Sequence, residues 1–262
     1  VSALQIKLMA AADYHASRSL SKSGLDQLRK SPAHFKAWQD GSASIETTPA
    51  MEFGTAAHMA VLEPELFIQK YKPFNVDKRT KEGKAIWQTI LDAGHTPLGA
   101  ETWDAINYLA SAVHAHPSAA SLINDIEPET SWFDNWNGVE VKARLDGIAD
   151  DYIIDLKTTQ DASPAAFAKS VAQFRYHVQA AWYQRITGIK RFVFIAVEKE
   201  APFGVCCYEL DQQAIDLGNE IIDAQLSTFR ECQALNSWPC YSSTVQTLSL
   251  PSWAMKSNTE IL

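Results

Sequence analysis

The chain has 262 residues, 46% of them hydrophobic and 21% charged. That is long and apolar enough to bury a sizeable core and too apolar for a disordered segment. No apolar run reaches the length of a bilayer span, and the opening stretch VSALQIKLMAAADYHAS carries no credible signal peptide, so the expectation is a cytoplasmic protein without membrane association.

The first third reads as helical. Ser31-Pro32 looks like a helix start, because proline is tolerated in the first turn, and AHFKAWQD then runs to Gly41. Residues 41 to 50 read as a loop, and further helical runs cover about 52–62, 80–93 and 100–115. Strands follow at about 130–136, 139–147 and 152–157, then a helix containing Gln179 and Tyr183. Two more apolar strands lie at 191–197 and 203–210, before a long amphipathic helix from Ile215 and a turn-rich tail from Trp238. This order predicts an α/β fold: a central mixed β-sheet flanked by helices, with a helical N-terminal part, in a single domain over 1–262.

The segment RLDGIADDYIIDLKTT (144–159) carries the chemistry. Alternation puts Val139, Val141, Ala143 and Leu145 on one face of the first strand and Glu140, Lys142, Arg144 and Asp146 on the other. After the turn at Asp150 and Asp151, Asp155 and Lys157 share a face opposite Tyr152, Ile154 and Leu156. The two strands read as an antiparallel hairpin with a charged face. Two carboxylates brought together there raise each other's pKa unless a cation sits between them. Hard oxygen ligands suit Mg²⁺ or Mn²⁺, and Lys157 is placed to orient an attacking water or offset charge on a phosphorane.

Two more motifs stand in order around the hairpin: GTAAH (Gly54 to His58) in an upstream helix, and QAAWY (Gln179 to Tyr183) in the helix that follows, where i and i+4 share a face. Together, Asp146, Asp155-x-Lys157, Gly-x-x-x-His and Gln-x-x-x-Tyr resemble the RecB-like branch of the PD-(D/E)xK nuclease superfamily. The stretches at 14–35, 53–67, 175–183 and 247–254 narrow the resemblance to the RecE (exodeoxyribonuclease VIII) and phage lambda exonuclease family.

That resemblance implies a Mg²⁺-dependent 5′-to-3′ exonuclease that degrades linear double-stranded DNA to 5′-mononucleotides. It also implies a homo-oligomeric ring, a trimer or tetramer, working with a single-strand annealing protein in phage-type recombination. It assigns a metal to Asp146, Asp155 and the Leu156 carbonyl, with His58 helping to hold a second. Lambda exonuclease has Glu where this chain has His58. Lys157 would position the nucleophile, while Gln179 and Tyr183 would contact substrate or orient the cluster. Glu129, just before the strand SWFDNW, is a candidate outer-shell acid, with a surface acid the favoured reading. For the 5′-phosphate the candidates are Arg18, Ser21 and Ser23, where SLSKS also reads as a helix cap, and Arg144 beside Asp146. The rival readings are a single-strand or structure-selective nuclease, or an inactive DNA clamp.

The formal charge of −8 is unevenly spread: residues 1–40 carry net +3 and residues 69–84 net +4, leaving an acidic remainder. Lys78, Arg79, Lys81 and Lys84 form the denser basic group and are candidates to line a DNA channel. No Walker-type loop is present, so no nucleotide cofactor is expected. Cys206, Cys207, Cys232 and Cys240 contain no C-x-x-C pair and all follow the hairpin, which predicts free thiols and no iron-sulfur cluster.

Overall fold

The computed structural model describes residues 4–6, 9–43, 47–252 and 254; the middle of the expected 41–50 loop and the end of the tail lie outside them. The strand β1 (Leu4–Ile6) precedes five helices: α1 (Ala11–Ala16), α2 (Lys22–Lys30), α3 (Pro32–Gln39), α4 (Pro49–Leu62) and α5 (Pro64–Lys70). Three of these start on a side-chain cap, with Ser21, Ser31 and Thr48 accepting from the backbone N–H groups of Gly24, His34 and Met51. Proline fills the first turn of α3 and α4, where its missing N–H costs nothing.

A two-stranded parallel sheet of β2 (Tyr71–Phe74) and β3 (Thr96–Gly99) brackets α6 (Lys81–Asp92). The sequence reading missed these strands, since four residues interrupted by proline carry no usable alternation. Then come α7 (Ala100–Ala115), α8 (Pro117–Asn124) and the strands β4 (Glu127–Trp136), β5 (Val139–Ile148) and β6 (Tyr152–Thr159). The chain continues through α9 (Pro164–Gln173), α10 (Tyr176–Thr187), β7 (Arg191–Glu198), β8 (Val205–Glu209) and α11 (Gln212–Leu235).

Six strands form one mixed sheet in the order β1-β4-β5-β6-β7-β8, with β6 and β7 parallel across the α9–α10 crossover and the other neighbours antiparallel. Each face buries its own core. One gathers the apolar residues of β5 with Ile153, Phe192 and Phe194 under α2, α3, α9, α10 and α11. The other gathers Ile154, Leu156, Val193, Ile195 and Val197 under α4, α5, α7 and α8. The result is the expected α/β arrangement with helices on both sheet faces.

Two details fix α10, the helix that carries Gln179. Trp182 is fully buried, and its indole N–H donates to the Lys142 carbonyl at 3.0 Å, pinning the helix to β5. Behind it, α11 approaches so closely that a Cβ on Gly218 would lie 2.6 Å from the His177 carbonyl, a contact only glycine permits.

Candidate active site at the divergence of two strands

The hairpin forms, but its ladder is short. β5 and β6 pair only at Gly147↔Ile154 and Ile148↔Ile153. Continuing that register sets Asp146 opposite Asp155, at the point where the strands part. The Leu156 N–H, released from the ladder, donates to the Asp146 carboxylate at 2.8 Å, so the acid stands in for a missing strand partner. Leu156 was expected to serve through its carbonyl; the contact its backbone makes here is through the N–H.

Helices from both layers reach into the gap. From α4, His58 Nδ1 lies 3.3 Å from Asp146 Oδ2. From α10, the Gln179 amide donates to Asp155 Oδ1 at 2.7 Å. Lys157, on the same strand face as Asp155, brings its ammonium to 2.5 Å from Asp155 Oδ2 and lies 4.7 Å from the Tyr176 ring centroid. Asp146, Asp155, Lys157, His58 and Gln179, which lie up to about 120 positions apart in the chain, therefore meet in one cluster. Tyr183 packs its ring against Phe192 one helical turn beyond Gln179. Gly54, four residues before His58, faces Thr158 of β6 with room for an ordinary Cβ contact.

The electrostatics separate the two acids. Burial pushes Asp155 up to about 6, with the Asp146 charge adding to it and Lys157 and His58 opposing. Burial also works against the charge on Asp146, yet His58, Lys157 and the Leu156 N–H outweigh it and hold this carboxyl below the usual range. His58 and Lys157 lose to burial but gain more from the two carboxylates, so both sit above their ordinary values. Burial, with Tyr14, Asp155 and Asp146 adding, keeps the Tyr183 phenol protonated. Titratable groups whose surroundings push their pKa values apart make this cluster a candidate functional site on physical grounds.

A divalent cation fits this donor set. Asp155 Oδ2 is buried and its charge is answered by the Lys157 ammonium at 2.5 Å, a place where this oxygen already faces a cation. The two carboxylates are hard oxygen donors of the kind that Mg²⁺ and Mn²⁺ take, whereas the His58 imidazole is a donor better matched to softer transition metals. Among the described residues, however, no three His, Cys, Asp or Glu side chains stand grouped as a ready-made metal cage. As described, the acids are turned onto Lys157, Gln179, His58 and the Leu156 N–H instead.

Several expectations need correction. Arg144, a phosphate candidate, is already engaged through Nε and Nη1: its guanidinium donates to Glu129 at 2.7 Å and to the Met9 carbonyl and Ser131 hydroxyl at 3.0 Å each. Glu129 is not a surface acid. It is partly buried, sits in β4 with φ 54°, and is pushed upward by burial first and by Asp146 second. Lys142 does not belong to a solvated face either; it is buried, donating to the carbonyls of Tyr14 and Ser17 at 2.6 and 2.7 Å.

Arg18 and Ser23 are exposed on a cleft of about 870 Å³ between α1 and α3, which Lys142 also lines. Ser21 lines it too but is buried, its hydroxyl occupied in capping α2. The basic group around α6 makes local contacts: Lys78 lies over the Trp87 ring at 3.3 Å, Arg79 pairs with Asp77 at 2.8 Å, and Lys81 and Lys84 are exposed on the first turn of the helix. The four cysteines are free thiols, with Cys232 buried and Cys240 exposed.

The sequence reading also passed over Lys22, Asp26 and Arg175. Lys22 and Arg175 both pair with Asp26 at 2.8 Å, and Lys22 feels the charge of Lys157, which places this network beside the cluster. Lys22 and Asp26 are i and i+4 on α2, a spacing legible in the sequence, but none links them to Arg175.

No helix among the described residues is long and apolar enough to cross a membrane. Among curated proteins, none matches this sequence. The solved structures include a "putative exonuclease" from Eubacterium rectale that superposes with a TM-score of 0.65 at 13% identity, covering 97% of this chain and 99% of its own, a likeness of fold. A second structure, of SSO0001, covers 83% of this chain and 88% of its own at 12% identity, but its TM-score of 0.27 is too low to bear on the fold. The family match is more direct, though it does not single out the RecE branch. The family "PDDEXK-like domain of unknown function (DUF3799)" matches residues 21–251, a span that holds α4, the β5–β6 hairpin and α10, and the chain belongs to that family.

Proposed function

We propose that this chain is a divalent-metal-dependent exonuclease that degrades linear duplex DNA from the 5′ end to 5′-mononucleotides, as one nuclease domain over 1–262. The observation that carries the nuclease reading is the meeting of Asp146, Asp155 and Lys157 where β5 and β6 part, with the buried Asp155 carboxylate facing the Lys157 ammonium. The polarity, the duplex substrate and a role beside a single-strand annealing protein rest on the resemblance to the RecE and lambda exonuclease family.

In this reading Asp146 and Asp155 hold the metal, and His58 lies beside Asp146 to share it or a second ion. The metal, Mg²⁺ with Mn²⁺ as substitute, supplies a lowered pKa for bound water and positive charge for the phosphate oxygens. Gln179 fixes the rotamer of Asp155 through its 2.7 Å hydrogen bond. Lys157 keeps its proton because two carboxylates face it, so it meets the scissile phosphate as a cation and offsets the charge gathering there. The Tyr176 ring under the ammonium shields one side of Lys157 from solvent. Arg18 and Ser23, at the cleft lined by Lys142, are the groups best placed to take a 5′-phosphate. A closed ring of three or four copies would turn the basic group of Lys78, Arg79, Lys81 and Lys84 into a continuous lining and explain how an acidic chain grips DNA.

The test is release of acid-soluble nucleotides from linear duplex labelled at one end or the other, with and without Mg²⁺. Loss of the 5′ label first, only with metal and with circular duplex spared, supports the reading. Cleavage of circles, or of single strands alone, replaces it with a structure-selective or single-strand nuclease. Binding without any cleavage makes the protein a DNA clamp.

A further inference from the structure

The turn between α9 and α10 presents an aromatic ring to solvent on an unusually firm mount. Phe174 is 51% exposed. Its N–H donates to the Ser170 carbonyl at 2.9 Å, and its own carbonyl accepts from the Lys22 ammonium at 2.9 Å. The next residue, Arg175, adopts the left-handed conformation (φ 56°, ψ 43°), unfavourable for a side chain of this size. It is held there by Asp26 at 2.8 Å and Gln225 at 2.7 Å, which tie the turn to α2 and α11. A strained backbone fixed by a charged network, with an exposed ring at its apex, is arranged for display.

The ring also has a direction. Phe174 stacks on Tyr176 with centroids 5.6 Å apart and planes at 29°, and Tyr176 in turn lies 4.7 Å from the Lys157 ammonium. The path from the open ring to the group expected to meet the phosphate is about 10 Å, within reach of a neighbouring nucleotide or two of a splayed strand. Lone exposed apolar residues usually need no explanation. This one sits between the Lys22 ammonium, which holds its carbonyl, and the Tyr176 ring it stacks on. A flat π surface beside cations suits a nucleotide strand, which offers bases and phosphates at that spacing.

We propose that Phe174 is a stacking platform for a nucleobase of the strand whose phosphate is engaged at Lys157, an inference that rests on the nuclease reading. Phe174 touches the substrate, while Lys22, Asp26 and Arg175 act only by positioning it. Stacking of this kind predicts that Phe174→Ala weakens binding to frayed or single-stranded ends by about 5- to 150-fold.

The experiment uses duplexes with a short frayed end carrying the fluorescent base 2-aminopurine at the first, second or third nucleotide of either strand. They are bound by the full chain in Ca²⁺, and the same duplexes are assayed for cleavage in Mg²⁺. The expected result is quenching at one of these positions with the wild type, kept in Phe174→Trp and lost in both Phe174→Ala and Phe174→Leu. Leucine keeps an apolar cover on Tyr176 but has no π face, so a packing role alone would leave its quenching intact. DNA that is bound and cut with quenching absent, or equal in all variants, overturns the platform and leaves the nuclease reading standing. Failure of the wild type to bind or cut any of these duplexes overturns both.

Discussion

Two Asp-x-basic pairs occupy this chain in opposite surroundings. Asp77 and Arg79 form a close pair with three side-chain hydrogen bonds, but their side chains are 47% and 91% exposed. Asp155 and Lys157 are 1% and 17% exposed and share their setting with Asp146, His58 and Gln179. In the first pair water screens the charges and either partner is dispensable. In the second, burial raises the free energy of each charge and neighbours must answer it, so any change propagates through the group. The spacing is the same; depth decides how strongly each charge depends on its neighbours.

The comparison is broken or sharpened most strongly at the buried pair. Asp155→Ala and Lys157→Ala each lower Mg²⁺-dependent hydrolysis by about a thousandfold or more while DNA binding in Ca²⁺ is kept; retained cleavage in either variant rejects the site. Next, His58→Ala lowers activity on the order of 10–100-fold, and raising the metal concentration restores part of it. A deficit indifferent to metal makes His58 a structural partner of Asp146.

A smaller effect is expected at the 5′-phosphate. Duplex with a 5′-phosphate should be digested several-fold faster than 5′-hydroxyl duplex, and Arg18→Ala should narrow the gap, as end-labelled kinetics will show. Equal rates remove the cleft between α1 and α3 from substrate binding.

Lys142 tests burial without a carboxylate partner. Burial depresses its ammonium to about 8, below the value of about 10.4 of an unfolded chain. Between those values the unfolded state binds the extra proton. Stability therefore gains from this group as pH rises from 8 towards 10 and loses the gain as pH falls back through 8. Denaturant titrations of wild type against Lys142→Met should diverge over that window, and parallel curves would contradict the assignment. The smallest effects belong to the exposed pair. Asp77→Ala should leave the melting temperature unchanged, and Lys78→Glu with Arg79→Glu should alter only the nucleotides released per binding event and their salt dependence. Unchanged processivity takes these residues off the DNA path.

Much of the layout was legible in the sequence because periodicity reports burial directly. The β5–β6 hairpin, the capped start of α3 at Ser31, the two apolar strands that became β7 and β8, and the long α11 all follow from patterns within a few residues of one another. The residue types of the site were legible for a related reason: Asp146, Asp155 and Lys157 lie on one hairpin, and His58 and Gln179 on helices whose motifs keep fixed spacing.

Tertiary structure alone decided what each charge faces. That Arg144 holds Glu129, that Lys142 is buried under the carbonyls of Tyr14 and Ser17, and that Lys22 and Arg175 brace the turn displaying Phe174 depend on contacts across more than a dozen to about 150 residues. Strand alternation assigns a side chain to a face, but the partner on that face comes from whichever helix packs there. The parting of β5 from β6, which frees the Leu156 N–H for Asp146, is likewise a property of the assembled sheet. Local sequence sets which groups are available, and the free energy of burying a charge beside its neighbours sets what they do.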